Sequence, residues 1–174
     1  MYKFKSYGPF KVPIEDGRVA VTNKFWREVD TKHPGLQNAV GCYIFATPAQ
    51  GSALPWYVGK TEKASFKKEA FQPPKLKLYQ KALNGQKREM SELYLIAKIT
   101  PADKFRRASK NKVGVRSIRK LEELLIGVCL LKNSELVNKS LAKNLKNIQV
   151  PGYMNDADVE RSQGAENLAK LLAT

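Results

Sequence analysis

The sequence predicts an α/β fold of the α+β kind: a small, three-stranded, mostly antiparallel sheet flanked by helices. Three observations predict it. Runs rich in β-forming residues occur at 40–46, 54–58 and 93–99, the first two joined by a turn-rich loop. Around them the apolar spacing changes to a helical period. The order of elements is hairpin, helices, strand, long helix and further helices, which places helices against one sheet.

Residues 1–35 mix short apolar pairs with turn signals (Gly8-Pro9, Asp16-Gly17, His33-Pro34-Gly35) and read as an N-terminal extension packed on the core. Within it, Asn23 is placed to cap a short helix carrying Phe25, Trp26 and Val29. The first strand, Val40-Gly41-Cys42-Tyr43-Ile44-Phe45-Ala46, ends near Pro48, and a loop holding Gly51-Ser52 leads into Leu54-Pro55-Trp56-Tyr57-Val58. Two such strands form an antiparallel hairpin. Pro55 cannot donate a ladder hydrogen bond, so it belongs at the strand entrance or on a sheet edge. Ser65 is placed to cap a short helix reaching Phe71. Pro73-Pro74 breaks it, and Leu76, Tyr79 and Leu83 then recur at helical spacing up to Asn84-Gly85. Residues 93–99 form the third strand, and the basic stretch 101–114, with Gly114, reads as an exposed loop or short helix. The longest helix covers 115–131, with a stripe of Ile118, Leu121, Leu125 and Val128. A short helix over 140–145, an extended piece at 148–150 before Pro151-Gly152, and a last helix from Ser162 using Leu168, Leu171 and Leu172 complete the chain. The domain organisation is thus an extension at 1–35, a core domain at 36–150 and a C-terminal helical extension at 151–174.

A chain of 174 residues that is 43% hydrophobic can bury one real core. No stretch approaches the roughly 18 uninterrupted apolar residues of a membrane span. The start, Met1-Tyr2-Lys3-Phe4-Lys5, has no apolar run behind it and is not a secretory signal. Cys42 and Cys129, each inside an apolar segment, read as free thiols in a reducing compartment, so the expected location is the cytoplasm. Two cysteines and the single His33 argue against a structural zinc site. The net charge of +15 is concentrated: residues 60–120 carry eighteen Lys/Arg against five Asp/Glu. Charge gathered in one segment marks a polyanionic partner, because each neutralised phosphate releases counterions.

Tyr43 and Tyr57 fall on adjacent strands, each two residues from a glycine, Gly41 and Gly59 respectively, and Lys60-Thr61 follow at once. Two phenols and an ammonium group at one end of a hairpin suit a phosphate-binding edge; strand tyrosines also serve simply as packing. On the long helix, Glu122 falls among Ile118, Leu125 and Cys129, whereas Glu123 falls on the water side. A carboxylate on an apolar face needs an ion-pair partner, a hydrogen bond or a bound cation. Arg119, one turn earlier, is the ordinary candidate for that partner.

Together, Gly41-Cys42-Tyr43-Ile44-Phe45, Trp56-Tyr57-Val58-Gly59-Lys60-Thr61 and Leu121-Glu122-x-x-Leu125-Ile126 resemble the GIY-YIG nuclease superfamily across residues 40–138. The resemblance implies a metal-dependent endonuclease that hydrolyses phosphodiester bonds in DNA. Tyr43 would act on the nucleophilic water, Tyr57 would bind the scissile phosphate or tune Tyr43, and Glu122 would hold one Mg²⁺ (or Mn²⁺). Lys60 would help lower the phenol, whose unperturbed pKa is about 10. That family normally carries an arginine on the first helix after Tyr-x-Gly, and Ser65-Phe66-Lys67-Lys68-Glu69-Ala70-Phe71 has none. Counting from Tyr57 puts Lys67 there; aligning on Phe66 puts Glu69 there. Arg88, Arg116, Arg119, Lys75 or Lys77 would then supply the charge from elsewhere. Gly59, Lys68, Lys75, Lys77, Arg116 and Arg119 are the expected nucleic-acid contacts, and Asn133 or Asn138 the match to an asparagine that follows the helix in the family. The alternatives are a catalytically weak or inactive nucleic-acid-binding module, or a subunit of a larger restriction, repair or mobile-element complex in which a protein partner supplies specificity. No membrane partner is expected.

Overall fold

The computed structural model describes residues 2–49, 52–83, 90–109 and 115–137, together with Asn167. Two units divide the chain, Met1–Val137 and Asn138–Thr174, and every described residue except Asn167 belongs to the first. Five antiparallel strands form its sheet, where the sequence pattern predicts three. They are β1 (Lys3–Glu15), β2 (Arg18–Val19), β3 (Gly41–Ala49), β4 (Ser52–Thr61) and β5 (Met90–Ile99), in the spatial order β2-β1-β5-β3-β4.

The two additional strands come from the segment expected to pack on the core as an extension. Instead β1 runs along β5, from Lys3 opposite Ile99 to Pro13 opposite Met90. A bulge conceals this strand in the sequence. Tyr7 stands opposite Leu95 and Phe10 opposite Leu93, so β1 holds one extra residue between them. Such an insertion exchanges the two faces of a strand. Tyr7 and then Phe10, Val12 and Ile14 therefore face one core, and no single alternation runs through all thirteen residues. Gly8 makes the bulge sterically feasible: its φ is +117°, and a Cβ there would meet the Leu93 carbonyl at 2.8 Å.

Four helices are described: α1 (Asn23–Lys32), α2 (Phe66–Glu69), α3 (Pro73–Leu83) and α4 (Arg116–Lys132). Thr22, one residue before the predicted cap, accepts the Lys24 N–H at 3.3 Å and starts α1. Pro73 and Pro74 open α3, where a missing N–H costs nothing, as well as ending the turn before it. Helices α1–α3 bury Phe25, Trp26, Val29, Phe66, Tyr79 and Leu83 against one face of the sheet, beside Phe45, Leu93 and Leu95. Neighbouring residues of a strand point to opposite faces. Thus Cys42 and Ile96, with Val40 just ahead of β3, meet Ile118, Leu121 and Leu125 of α4 on the other side.

Strand β4 is the sheet's edge, the position that tolerates Pro55. Past α4, Asn133 donates to the Pro55 carbonyl at 2.7 Å and Val137 N–H donates to the Trp56 carbonyl at 2.8 Å, covering that stretch of the edge. The predicted helix stop at Asn84-Gly85, the alternatives Arg88 and Asn138, Gly114 and, apart from the single residue Asn167, every element expected after residue 138 lie outside the described residues. No helix among the described residues is long and apolar enough to cross a membrane.

Candidate active site

The glycines flanking the two tyrosines have steric roles. Tyr43 and Gly59 are register partners across the hairpin. A Cβ at Gly59 would stand 2.5 Å from the Tyr43 hydroxyl oxygen and 2.6 Å from Cε2, so the phenol lies across the bare backbone of β4. Gly41 lets β5 approach: a Cβ there would collide with the Ile96 carbonyl and lie 3.0 Å from Ala97 Cα. Phe45 pairs with Tyr57 in the same register, which places Tyr43 and Tyr57 on one face with ring centroids 6.2 Å apart. Tyr79 of α3 completes the group, 5.5 Å from the Tyr57 ring and stacked 4.2 Å from Phe45.

Burial governs the chemistry of these phenols. Tyr43 is fully buried, and burial pushes its pKa well above the usual tyrosine range, with Tyr79, Tyr57 and Glu69 adding to the rise. Burial likewise lifts Tyr57 to about 12, against a downward pull from the Tyr43 hydroxyl. Both are neutral at physiological pH and serve there as hydrogen-bond donors or acceptors. The Tyr79 hydroxyl donates to the Ala70 carbonyl at 2.8 Å. The Tyr43 hydroxyl couples to those of Tyr57 and Tyr79 but has no partner in good hydrogen-bond geometry among the described residues.

The end of β4 carries the charges. Lys60, opposite Cys42 in the hairpin, faces α4 and donates to Glu122 Oε2. This contact resolves the position of Glu122 on the apolar face: its side chain is 11% exposed, and the partner is Lys60. Arg119, the nearer candidate along the helix, pairs with Glu62 instead, at 2.9 Å. Glu62 also accepts the Val115 N–H at 2.9 Å, which ties β4 to the start of α4. Lys60, Glu62, Glu69 and Arg119 line a cleft of about 490 Å³, and Glu122 lies near enough to Tyr57 to raise its pKa.

Tyr43, Tyr57, Lys60 and Glu122 therefore lie at one end of the hairpin but on two faces of the sheet: the tyrosines point to the α1–α3 side, and Lys60 meets Glu122 on the α4 side, with Arg119 beside them. Lys67 and Lys68 are exposed on α2, Lys77 is exposed on α3, and Arg116 is exposed at the start of α4. Lys75 pairs with Glu69 at 3.4 Å. Asn133 is buried, holding Pro55 as above and accepting the Glu135 N–H at 3.0 Å. Glu62 is the feature that sequence reasoning misses; it follows the strand in a turn, where no periodicity marks it as buried.

Among the described residues no group of three or more His, Cys, Asp or Glu side chains is placed to hold a metal. Magnesium, however, is commonly held by one or two carboxylates, with waters and phosphate oxygens completing its shell. Glu122 suits that lesser demand, since Lys60 holds Oε2 and leaves Oε1 without a partner among the described residues. No family model, curated protein or solved structure matches this chain.

Proposed function

We propose that this chain is a GIY-YIG-like endonuclease that hydrolyses phosphodiester bonds in DNA at the end of β4. The observation that carries the reading is the near-buried Glu122 of α4 meeting Lys60, sixty-two residues away in sequence, close enough to Tyr57 across the edge strand β4 to raise its pKa. The Tyr57 hydroxyl would hydrogen-bond the scissile phosphate, and the Tyr43 hydroxyl behind it would orient Tyr57 or the attacking water. Lys60 and Arg119 would bring positive charge to the cleft, Arg119 from α4 rather than from the helix after Tyr-x-Gly. Glu122 would hold Mg²⁺ or Mn²⁺, which when bound neutralises charge on the departing oxygen. The basic segment 60–120 would follow the DNA backbone.

A second reading, a nucleic-acid-binding module without catalysis, is favoured by one observation. The Tyr43 hydroxyl is sealed from solvent. Plasmid nicking in Mg²⁺ separates the two. The nuclease reading expects nicking that EDTA abolishes and that Glu122→Ala reduces by about 10²–10³-fold, the usual cost of a lost transition-state contact. Salt-sensitive binding without any nicking by wild type selects the binding module. Nicking that Glu122→Ala leaves intact removes the metal assignment.

A further inference from the structure

The sheet half that α4 leaves open carries a second basic groove, built on aromatic rings. Phe4 of β1 stands directly opposite Lys98 of β5, on the face away from helices α1–α3. Lys98 Nζ lies 4.7 Å from the centroid of the Tyr2 ring and 4.9 Å from that of Phe4, and it donates to Ser117 Oγ at 2.8 Å. Tyr2 remains 70% exposed, so much of its ring is open to solvent. Arg106 is fixed alongside: its N–H donates to the Lys98 carbonyl and its carbonyl accepts the Val40 N–H, both at 2.9 Å. Tyr2, Phe4, Lys98, Arg106 and Val115 are among the residues that line a groove of about 800 Å³, well within the range that accepts a small organic ligand.

Among the described residues the charges in this groove are only partly neutralised. Lys3, on its wall, shares Asp103 with Lys5, at 2.6 and 3.0 Å. Neither Lys98 nor Arg106 has a carboxylate partner among the described residues. Burial and then the neighbouring Arg106 hold the Lys98 ammonium below the usual lysine range. Two like charges forced together favour an anion between them. An open aromatic face next to that anion site suits a base with its phosphate, and only an unpaired base has a free face to offer.

We propose that this groove binds single-stranded nucleic acid, one base stacking on Tyr2 while the adjoining phosphate sits at Lys98 and Arg106. The groove also adjoins the cleft at β4, because Val115 on its wall donates its N–H to Glu62. A strand seated here would therefore lead toward Lys60 and Glu122. The proposal rests on the nucleic-acid part of the reading above and not on cleavage.

The test is fluorescence anisotropy on the full chain in EDTA, with a labelled oligothymidylate of about ten nucleotides and a duplex of equal length. Tyr2→Ala is expected to weaken single-strand binding by about 5- to 100-fold, the loss of one base stack, while Tyr2→Phe restores it. Duplex affinity should change by less than about twofold, since no duplex base can reach the ring. Arg106→Gln should lower the salt slope for the single strand by about 0.7, one phosphate contact. Unchanged single-strand affinity in Tyr2→Ala, equal losses on both probes, a Tyr2→Phe as weak as Tyr2→Ala, or no binding by wild type each overturn the proposal. Because binding is read without metal, absence of plasmid nicking leaves this measurement intact. A chain that nicks plasmid yet binds the strand independently of Tyr2 loses the groove alone.

Discussion

Replacing Tyr43 by Phe separates stability from chemistry at one atom. The substitution removes only a hydroxyl, fully buried and without a well-formed hydrogen bond among the described residues. A polar group buried in that state costs about 1–3 kcal/mol, of which Phe recovers part at no change of shape. The nearby Tyr57 and Tyr79 hydroxyls compensate some of the cost, and Tyr79 is already committed to the Ala70 carbonyl. The expected outcome is a stability unchanged or raised by up to about 1 kcal/mol, hence a Tm higher by about 0–4 °C at this chain length. Plasmid nicking should at the same time fall by about 10²-fold, because a positioned proton acceptor or donor is gone. Differential scanning calorimetry and the nicking assay, run in one buffer, give both quantities. A Tm lower by more than about 4 °C would mean that the hydroxyl has a strong native partner, refuting the geometric argument. Undiminished nicking would show that it takes no part in the chemistry.

Two further outcomes follow from packing and burial. Gly59→Ala drives a methyl group into the fully buried Tyr43 ring and should cost about 1–3 kcal/mol; in a Tyr43→Leu background the same change should cost less, as a thermal double-mutant cycle would record. Burial pushes the Cys42 thiol up to about 12 and the Cys129 thiol up to about 11, so the folded state holds these protons after the unfolded chain has released its own. Their contribution is complete below the unfolded value of 9.0 and is lost as pH rises through 11 and 12. Urea midpoints should therefore be insensitive to the thiols from pH 6 to 8 and fall above about 9, and Cys42→Ala should remove part of that fall.

What the sequence made legible was whatever a single period could carry. The strands around Tyr43, Tyr57 and Leu95 and the helix around Leu121 show one unbroken pattern each, and they lie where the pattern places them. The helical position of Glu122 likewise announced that it needed a partner. Its identity was not legible, because Lys60 reaches it through the hairpin register and the docking of α4, both long-range. Arg119 looked better placed along the chain, but Glu62 claims it across the fold. Strand β1 was lost for a local reason: the bulge at Gly8 reverses its alternation, and Pro9 and Pro13 punctuate it like a loop. The two-residue β2 is too short for any period to mark.

The pairing of β1 with β5 also sets a timetable for biogenesis. Lys3 finds its partner only at Ile99, so β1 leaves the ribosome long before its neighbour exists. At about 5–20 residues per second that interval is several seconds, during which Phe10 and Val12 lack the β5 residues that stand opposite them. The same pairing means that a fragment beginning at residue 36 would expose the flank of β5, with Leu93, Leu95 and Ala97 along it, as a raw apolar edge prone to self-association. The opening residues thus cover a strand edge that would otherwise lie bare at the centre of the sheet.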